Sequence, residues 1–349
     1  MTCVSCGSPL AAGDAFCESC GAPTGVATVA AAAEPAGDSA RTHLIAPPGG
    51  EPHEEPGPRA CAACGGDVGA DGYCTVCGVR ASNGREHIVV RASATVVGVS
   101  DIGRVHTRNE DACALAAQDG LTLLVVCDGV TSTPNSDVAA EAAAIAARDP
   151  LMAGPKPTSS SPAVRVEHWS SQLKAAAVAA NSAAAKSVLD QADNPPSCTF
   201  VAAIADADLI VAAWIGDSRA YWLPDGGPAE QLSVDDSWAT SQIAIGVPRE
   251  VAEADPKAHA ITKWLGADSP DDTATVSTTT VGGPGWLLVC SDGLWNYCSS
   301  AADLSELIKG RQQNDPVELA ESLVAWANEQ GGHDNVTVTL ARITPDPTK

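Results

Sequence analysis

The sequence predicts an α+β layered sandwich, and three observations carry that expectation. Of 349 residues, 45% are hydrophobic, enough for one large core. From about Ser93 to the C-terminus, short β-branched or alternating apolar runs are interleaved with long stretches of good helix formers. Several of the apolar runs follow one another before a helix intervenes, an order that suits layered α+β architecture better than a doubly wound parallel sheet.

The chain opens on cysteines. Eight of the 13 fall into two tetrads: Cys3, Cys6, Cys17 and Cys20, then Cys61, Cys64, Cys74 and Cys77. Each pair reads Cys-x-x-Cys-Gly, which suits a tight knuckle whose backbone N–H groups face two thiolates, and two knuckles complete a tetrahedral zinc site. A redox dithiol needs one such pair in a thioredoxin-like setting, not four pairs in two sets. Residues 1–25 and 59–80 are therefore expected to be small zinc ribbons, too short for apolar cores and folded mainly by two structural zinc ions. Residues 26–58, rich in Ala, Pro, Gly and Glu, form a flexible linker in this reading, and residues 81–92 a second, polar one. The N-terminal residues show no basic region followed by an apolar segment, and no apolar run approaches a membrane span. Reduced thiols and a cytoplasmic location, with no membrane partner, are expected.

The remainder, residues 93–349, reads as one core domain. Strands are expected in TVVGVSD, LTLLVVCDG, CTFVAAIAD, LIVAAWIGD, WLLVCSDG and NVTVTLARI. Helices are expected in SDVAAEAAAIAARD, SSQLKAAAVAANSAAAKSVLDQ and DPVELAESLVAWANEQGG, the last with Asp315 as N-cap and Pro316 in the first turn. Residues 150–166, with their Pro and Ser, read as an exposed loop between the first two helices.

Two of the buried-looking runs, LLVVCDGV and LLVCSDGL, end in Asp-Gly. Either alone is an ordinary turn pair. In chain order, however, the acids recur in SDIGRVHTRNEDA, VVCDGV, AAWIGDSRAY, LLVCSDGLW and GGHDNVTVTL, each at a strand end or adjoining turn. Clustered aspartates repel one another, so they must be protonated or share cations, and all-oxygen ligands favour magnesium or manganese.

These five motifs, in this order over about 250 residues, resemble the PPM (protein phosphatase 2C-type) metal-dependent serine/threonine phosphatases. The resemblance implies a four-layer α-β-β-α sandwich, with two central antiparallel sheets and a binuclear Mg or Mn site at one edge. It implies that Asp128 bridges the two metals, that the Gly129 carbonyl binds one of them, and that Asp292 and Asp334 hold the other. Glu110 and Asp111 then act through metal-bound waters, and Asp217 helps a third, weaker ion beside Asp292. In such a site a water shared by two ions attacks phosphorus in line, with no protein nucleophile.

Two positions depart from the family pattern. His106 stands where an arginine usually holds the substrate phosphate; either His106 donates to the phosphate, or Arg108 reaches in from a shifted loop. Val130 follows Asp-Gly where many members have a histidine or further glycines, so leaving-group protonation falls to a metal-bound water or to His106. The departures keep a second reading open, a catalytically weak phosphoprotein-binding regulator. The reading as a phosphatase implies phosphorylated proteins as substrates and an opposing Ser/Thr kinase, with the ribbons available for a protein partner. Nucleic acid is excluded as a partner: the net charge is −23, of which residues 93–349 carry −18, and Met1–Gly25 contain no Lys or Arg.

Overall fold

The structure is a computed structural model that describes residues 64–69, 74–78, 84–187, 194–269, 271–311 and 315–345. The chain divides into two units, Met1–Gly57 and Pro58–Lys349, and every described residue lies in the second. The first cysteine tetrad, the linker after it and Cys61 thus lie outside the described residues.

In chain order the strands and helices are β1 (His87–Arg91), β2 (Val96–Asp101), β3 (Ala112–Gln118), β4 (Leu121–Cys127), α1 (Ser136–Ala153) and α2 (Pro162–Lys186). Next come β5 (Ser197–Cys198), β6 (Phe200–Asp206), β7 (Leu209–Ile215), β8 (Arg219–Pro224), β9 (Glu230–Gln231), α3 (Trp238–Ala244), α4 (Arg249–Glu253) and β10 (Leu265–Gly266). The chain closes with β11 (Thr275–Thr280), β12 (Gly285–Cys290), α5 (Asp292–Trp295), α6 (Ala301–Arg311), α7 (Pro316–Gln330) and β13 (Val336–Ile343). One large sheet runs β1-β2-β13-β12-β8-β9, a second runs β11-β7-β6-β4-β3, and β10 pairs with β5 in a two-stranded sheet; every pairing is antiparallel.

The period-two alternation of the strands decides the layering. On β4, Leu121, Leu123 and Val125 pack against α1 and α2, while Leu124 and Val126 face the other sheet. On β12 the same division puts Leu288 and Cys290 under α6 and α7, and Leu287 and Val289 between the sheets. The result is the expected four-layer α-β-β-α sandwich. Alanines let the outer layer close tightly: Ala139, Ala140, Ala143, Ala144 and Ala147 of α1 and Ala176, Ala177, Ala180 and Ala184 of α2 are all buried. The β3–β4 hairpin turns on Asp119-Gly120, both at positive φ (54° and 80°), the conformation a two-residue turn between twisted strands requires.

Two boundaries differ from the sequence reading. Residues 87–91, assigned there to the linker over 81–92, form edge strand β1, paired with β2 from His87↔Asp101 to Arg91↔Val97. The cause is local: the HIVVR run alternates, and Val90 packs on the inter-sheet core, so the sheet begins at His87 rather than at residue 93. The loop expected over 150–166 shrinks to 154–161. Helix α1 continues through Pro150 because Leu151 is buried in the core beyond it, and α2 starts at Pro162, where a first-turn proline loses no helical hydrogen bond.

Candidate active site

The sheets bring the motif carboxylates together at one edge. Asp111 immediately precedes β3, and Asp128 immediately follows β4. Asp217 occupies the turn between β7 and β8, Asp292 opens α5 after β12, and Asp334 lies two residues before β13. Register places these ends side by side, since Cys127 pairs with Ala112 and Cys290 with both Val338 and Arg219.

Neighbouring groups hold several of the acids in place. Ser291 Oγ donates to Asp111 Oδ2 at 2.7 Å and accepts the Thr337 N–H at 2.9 Å. The Asp128 N–H donates to Thr199 Oγ1 at 3.0 Å, and the Thr199 N–H returns to the Asp128 carbonyl at 2.7 Å. Asn335 is buried and serves as a clamp: its Oδ1 accepts the Glu110 N–H at 2.7 Å, and its Nδ2 donates to the Ile102 and Arg108 carbonyls at 2.9 and 3.1 Å. It thereby fastens the loop bearing His106 to the strand end bearing Asp334. Gly129 must be glycine here, because a Cβ at that position would stand 2.6 Å from the Glu110 carbonyl oxygen.

Burial and mutual repulsion dominate the electrostatics of the acid cluster. Burial pushes Asp111 up to about 7 despite the opposing Ser291 and Thr337 hydrogen bonds, and Asp334 adds to the rise. Burial likewise lifts Asp217 to about 7, helped by Asp235. Asp128 and Asp292 are driven well above the usual carboxylate range, first by burial and then by the other acids. Asp334 is raised by burial, partly offset by His106. Asp111 Oδ1 and Asp292 Oδ1 are buried with no hydrogen-bond partner among the described residues. Unpaired buried oxygens amid mutual repulsion fit divalent, oxygen-seeking cations such as magnesium or manganese. Among the described residues the only trio with ligand atoms all within 4.8 Å of one another is made of thiols, so the carboxylates line a site rather than converge on one point.

The remaining site residues of the sequence reading fall as follows. His106 Nε2 lies 3.3 Å from Asp334 Oδ1, at the cluster. Arg108 is turned elsewhere, 2.5 Å from Glu110 Oε1 and 3.6 Å from Asp137 Oδ1. Glu110 is buried, and the same Oε1 also accepts from Ser136 Oγ at 2.5 Å, so this carboxylate is occupied by protein groups, though Asp334 still feels its charge. Sequence reasoning passed over Thr199, Ser291 and Ser136, because a small hydroxyl carries no signal until its partner across the sheet is known.

In the N-terminal part, Cys64, Cys74 and Cys77 bring their sulfurs within 4.8 Å of one another, with Cys64 and Cys74 3.4 Å apart. Backbone hydrogen bonds from Cys77 and then from Val76, whose N–H donates to Cys74 Sγ at 3.4 Å, lower the Cys74 thiol to about 6.

The comparisons with known proteins find this two-sheet sandwich, with its buried carboxylate cluster at one edge, in the metal-dependent serine/threonine phosphatases. The family Protein phosphatase 2C matches residues 98–328, more than half of the chain, and the chain belongs to that family. It is 30% identical over 245 residues to the serine/threonine phosphatase stp of Listeria innocua, covering 69% of this chain and 92% of that one. It is 31% identical over 248 residues to the serine/threonine protein phosphatase PstP of Mycobacterium tuberculosis, covering 70% of this chain and 44% of that longer relative. The crystal structure of Mycobacterium tuberculosis PstP/Ppp superposes with a TM-score of 0.59 at 28% identity, covering 74% of this chain and all of that one. The PstP catalytic domain in complex with two manganese ions gives 0.57 at 27% identity, covering 73% and 99%.

Proposed function

We propose that this protein is a metal-dependent serine/threonine protein phosphatase that hydrolyses phosphoserine and phosphothreonine in proteins. The observation that carries the reading is that Asp111, Asp128, Asp217, Asp292 and Asp334 line one sheet edge, with unpaired buried oxygens on two of them. Asp128, Asp292 and Asp334, with the Gly129 carbonyl, would hold two Mn or Mg ions; Asp111 and Glu110 border the site, and Asp217 would serve a third. Bound there, such ions neutralise phosphate oxygens and activate a water for in-line attack. The chain's own contribution is to fix the acids on strand ends and to shield them from bulk water. Of the two candidate phosphate donors, His106 faces the cluster whereas Arg108 is committed to Glu110 and Asp137, which supports His106. Relatives named as phosphatases support catalysis over a binding-only role.

The test is phosphate release from a phosphothreonine peptide with manganese, for wild type, Asp292→Asn, and wild type with chelator. Activity confined to metal-loaded wild type is expected; a folded, manganese-bound wild type with no activity overturns the reading.

The three gathered thiols support a zinc site completed by Cys61, and by pattern a second on Cys3, Cys6, Cys17 and Cys20. These ribbons would dock a substrate or partner protein, in a cytoplasmic pathway opposed by a Ser/Thr kinase. No helix among the described residues is long and apolar enough to cross a membrane. Two zinc equivalents per chain are expected by metal analysis, and fewer would remove at least one ribbon.

A further inference from the structure

Arg85 stands ahead of residues 98–328, over which the family matches, and none of the five carboxylate motifs includes it. Its backbone and side chain nevertheless close on the motif that carries Glu110 and Asp111. The Arg85 carbonyl accepts from Asn109 Nδ2 at 3.0 Å, and the same nitrogen donates to Ser100 Oγ at 2.9 Å. Asn109 Oδ1 in turn accepts the Asp111 N–H at 3.2 Å. From the other side the guanidinium forks: Nη1 donates to Glu141 Oε2 of α1 at 2.6 Å, and Nη2 to the Asp111 carbonyl at 3.4 Å. Asn109 and Asp111 are buried, whereas the Arg85 side chain is 23% exposed, so it covers their turn from outside.

The consequence is geometric. Asp111 leads directly into β3, where Ala112 pairs with Cys127, the neighbour of Asp128. Whatever fixes the Asp111 backbone therefore fixes the spacing of these two carboxylates. Arg108 joins the same motif to the start of α1 through Glu110 and Asp137, and Arg85 repeats that join one helical turn further along, at Glu141. A planar fork spans a carboxylate and a carbonyl at once, which a single ammonium does less well. Beside it, the Glu86 carbonyl accepts the Ile102 N–H at 2.8 Å, so the same segment is fastened to the loop that leads to His106. Gly78 of the cysteine module is six residues before Gly84, a span of at most about 20 Å. The anchor thus also limits how far that module can stand from the acid cluster.

We propose that Arg85 is a positioning residue for the metal site: touching neither metal nor phosphate, it holds Asp111 at the separation from Asp128 that the divalent ions require. This rests on the reading of the acid cluster as a manganese or magnesium site. The sign of the effect separates position from charge. A cation near the cluster repels divalent ions, so charge alone makes manganese bind more tightly once Arg85 is removed. Loss of positioning makes it bind more weakly.

The experiment is direct manganese binding to the full chain, with the free ion read by electron paramagnetic resonance, beside phosphate release from a phosphothreonine peptide across a manganese titration. Arg85→Ala should raise the manganese Kd roughly tenfold, the low end of what outer support of a metal site contributes, and the loss should fall on affinity rather than on kcat at saturating manganese. Arg85→Lys, which keeps the charge and loses the fork, should bind nearly as weakly. Glu141→Gln, at an exposed position of α1, should shift the Kd in the same direction by roughly twofold, the scale of a surface ion pair. The control is Arg342→Ala, which removes the ion pair with Asp225 at the far end of β13 and should leave manganese binding unchanged. Unchanged or tighter binding by Arg85→Ala, full recovery by Arg85→Lys, or an equal loss in Arg342→Ala would each overturn the role of Arg85. Wild type that binds no manganese would instead sink the metal-site reading, and this inference with it.

Discussion

Asn335 makes three hydrogen bonds from one buried amide, and through them it sets where Glu110 and the His106 loop stand relative to Asp334. Removing such a support typically lowers metal affinity or activity by about 10–100-fold. Asn335→Ala should therefore raise the manganese concentration needed for half-maximal activity, with Asn335→Asp failing to rescue because it offers no donor to the two carbonyls. A titration of activity against manganese checks this. The pH dependence of the metal-free protein has a definite sign. Asp111 and Asp217 carry folded-state values of about 7 against 3.8 unfolded, so the folded state binds more protons between these limits. Their stabilising contribution is complete below about pH 4 and is lost as pH rises through 7. Thermal melts with chelator should show stability from this source declining between pH 5 and 7, and manganese should flatten the slope. Asp292→Asn should stabilise the metal-free protein at pH 7.5, since burial and the neighbouring acids disfavour its charged form, while removing the gain from metal.

At the scale of elements, α1 lies on the sheet through alanines. Ala139, Ala143 and Ala147 are fully buried, leaving no room for a larger side chain. Ala143→Leu should cost about 1–3 kcal/mol in urea unfolding through overpacking, with little change in activity per folded molecule. The elements that were legible in the sequence are those whose pattern is self-sufficient. Helix α7 announces itself by Asp315, whose side chain accepts from the Val317 and Glu318 amides, and β4 and β12 by long apolar runs. Strand β11 was missed because TVSTTT has little apolar content; it is a strand through its pairing with β7, from Thr275↔Trp214 to Thr280↔Leu209. The early end assigned to α1 failed because Pro150 is a breaker only when nothing beyond it is buried, and Leu151 is. Among site residues the aspartates could be found from motif order, whereas the turning of Arg108 toward Glu110 depended on where α1 places Asp137 and Ser136.

At the scale of the whole molecule, the sandwich from β1 onward contains every carboxylate of the site. A chain beginning at residue 84 should retain p-nitrophenyl phosphate turnover within about twofold, since distant, independent parts contribute additively. A chain beginning at residue 93 loses β1 and should melt at a lower temperature, because the edge of β2 is then uncovered. Comparing the two by activity and thermal denaturation separates any role of the cysteine modules from that of the edge strand.

Strand β13, the last in the chain, is not at an edge of its sheet: it lies between β2, the second strand, and β12. Ser100 and Thr337, 237 residues apart, share a buried hydroxyl hydrogen bond of 2.7 Å across that seam. During synthesis, a growing chain that has already emitted Asp111, Asp128, Asp217 and Asp292 still lacks the middle of its sheet and the Asp334 that completes the edge. The acid cluster is thus incomplete until β13 inserts between β2 and β12, and a chain cut before Asp334 is expected to release no phosphate from a phosphothreonine peptide.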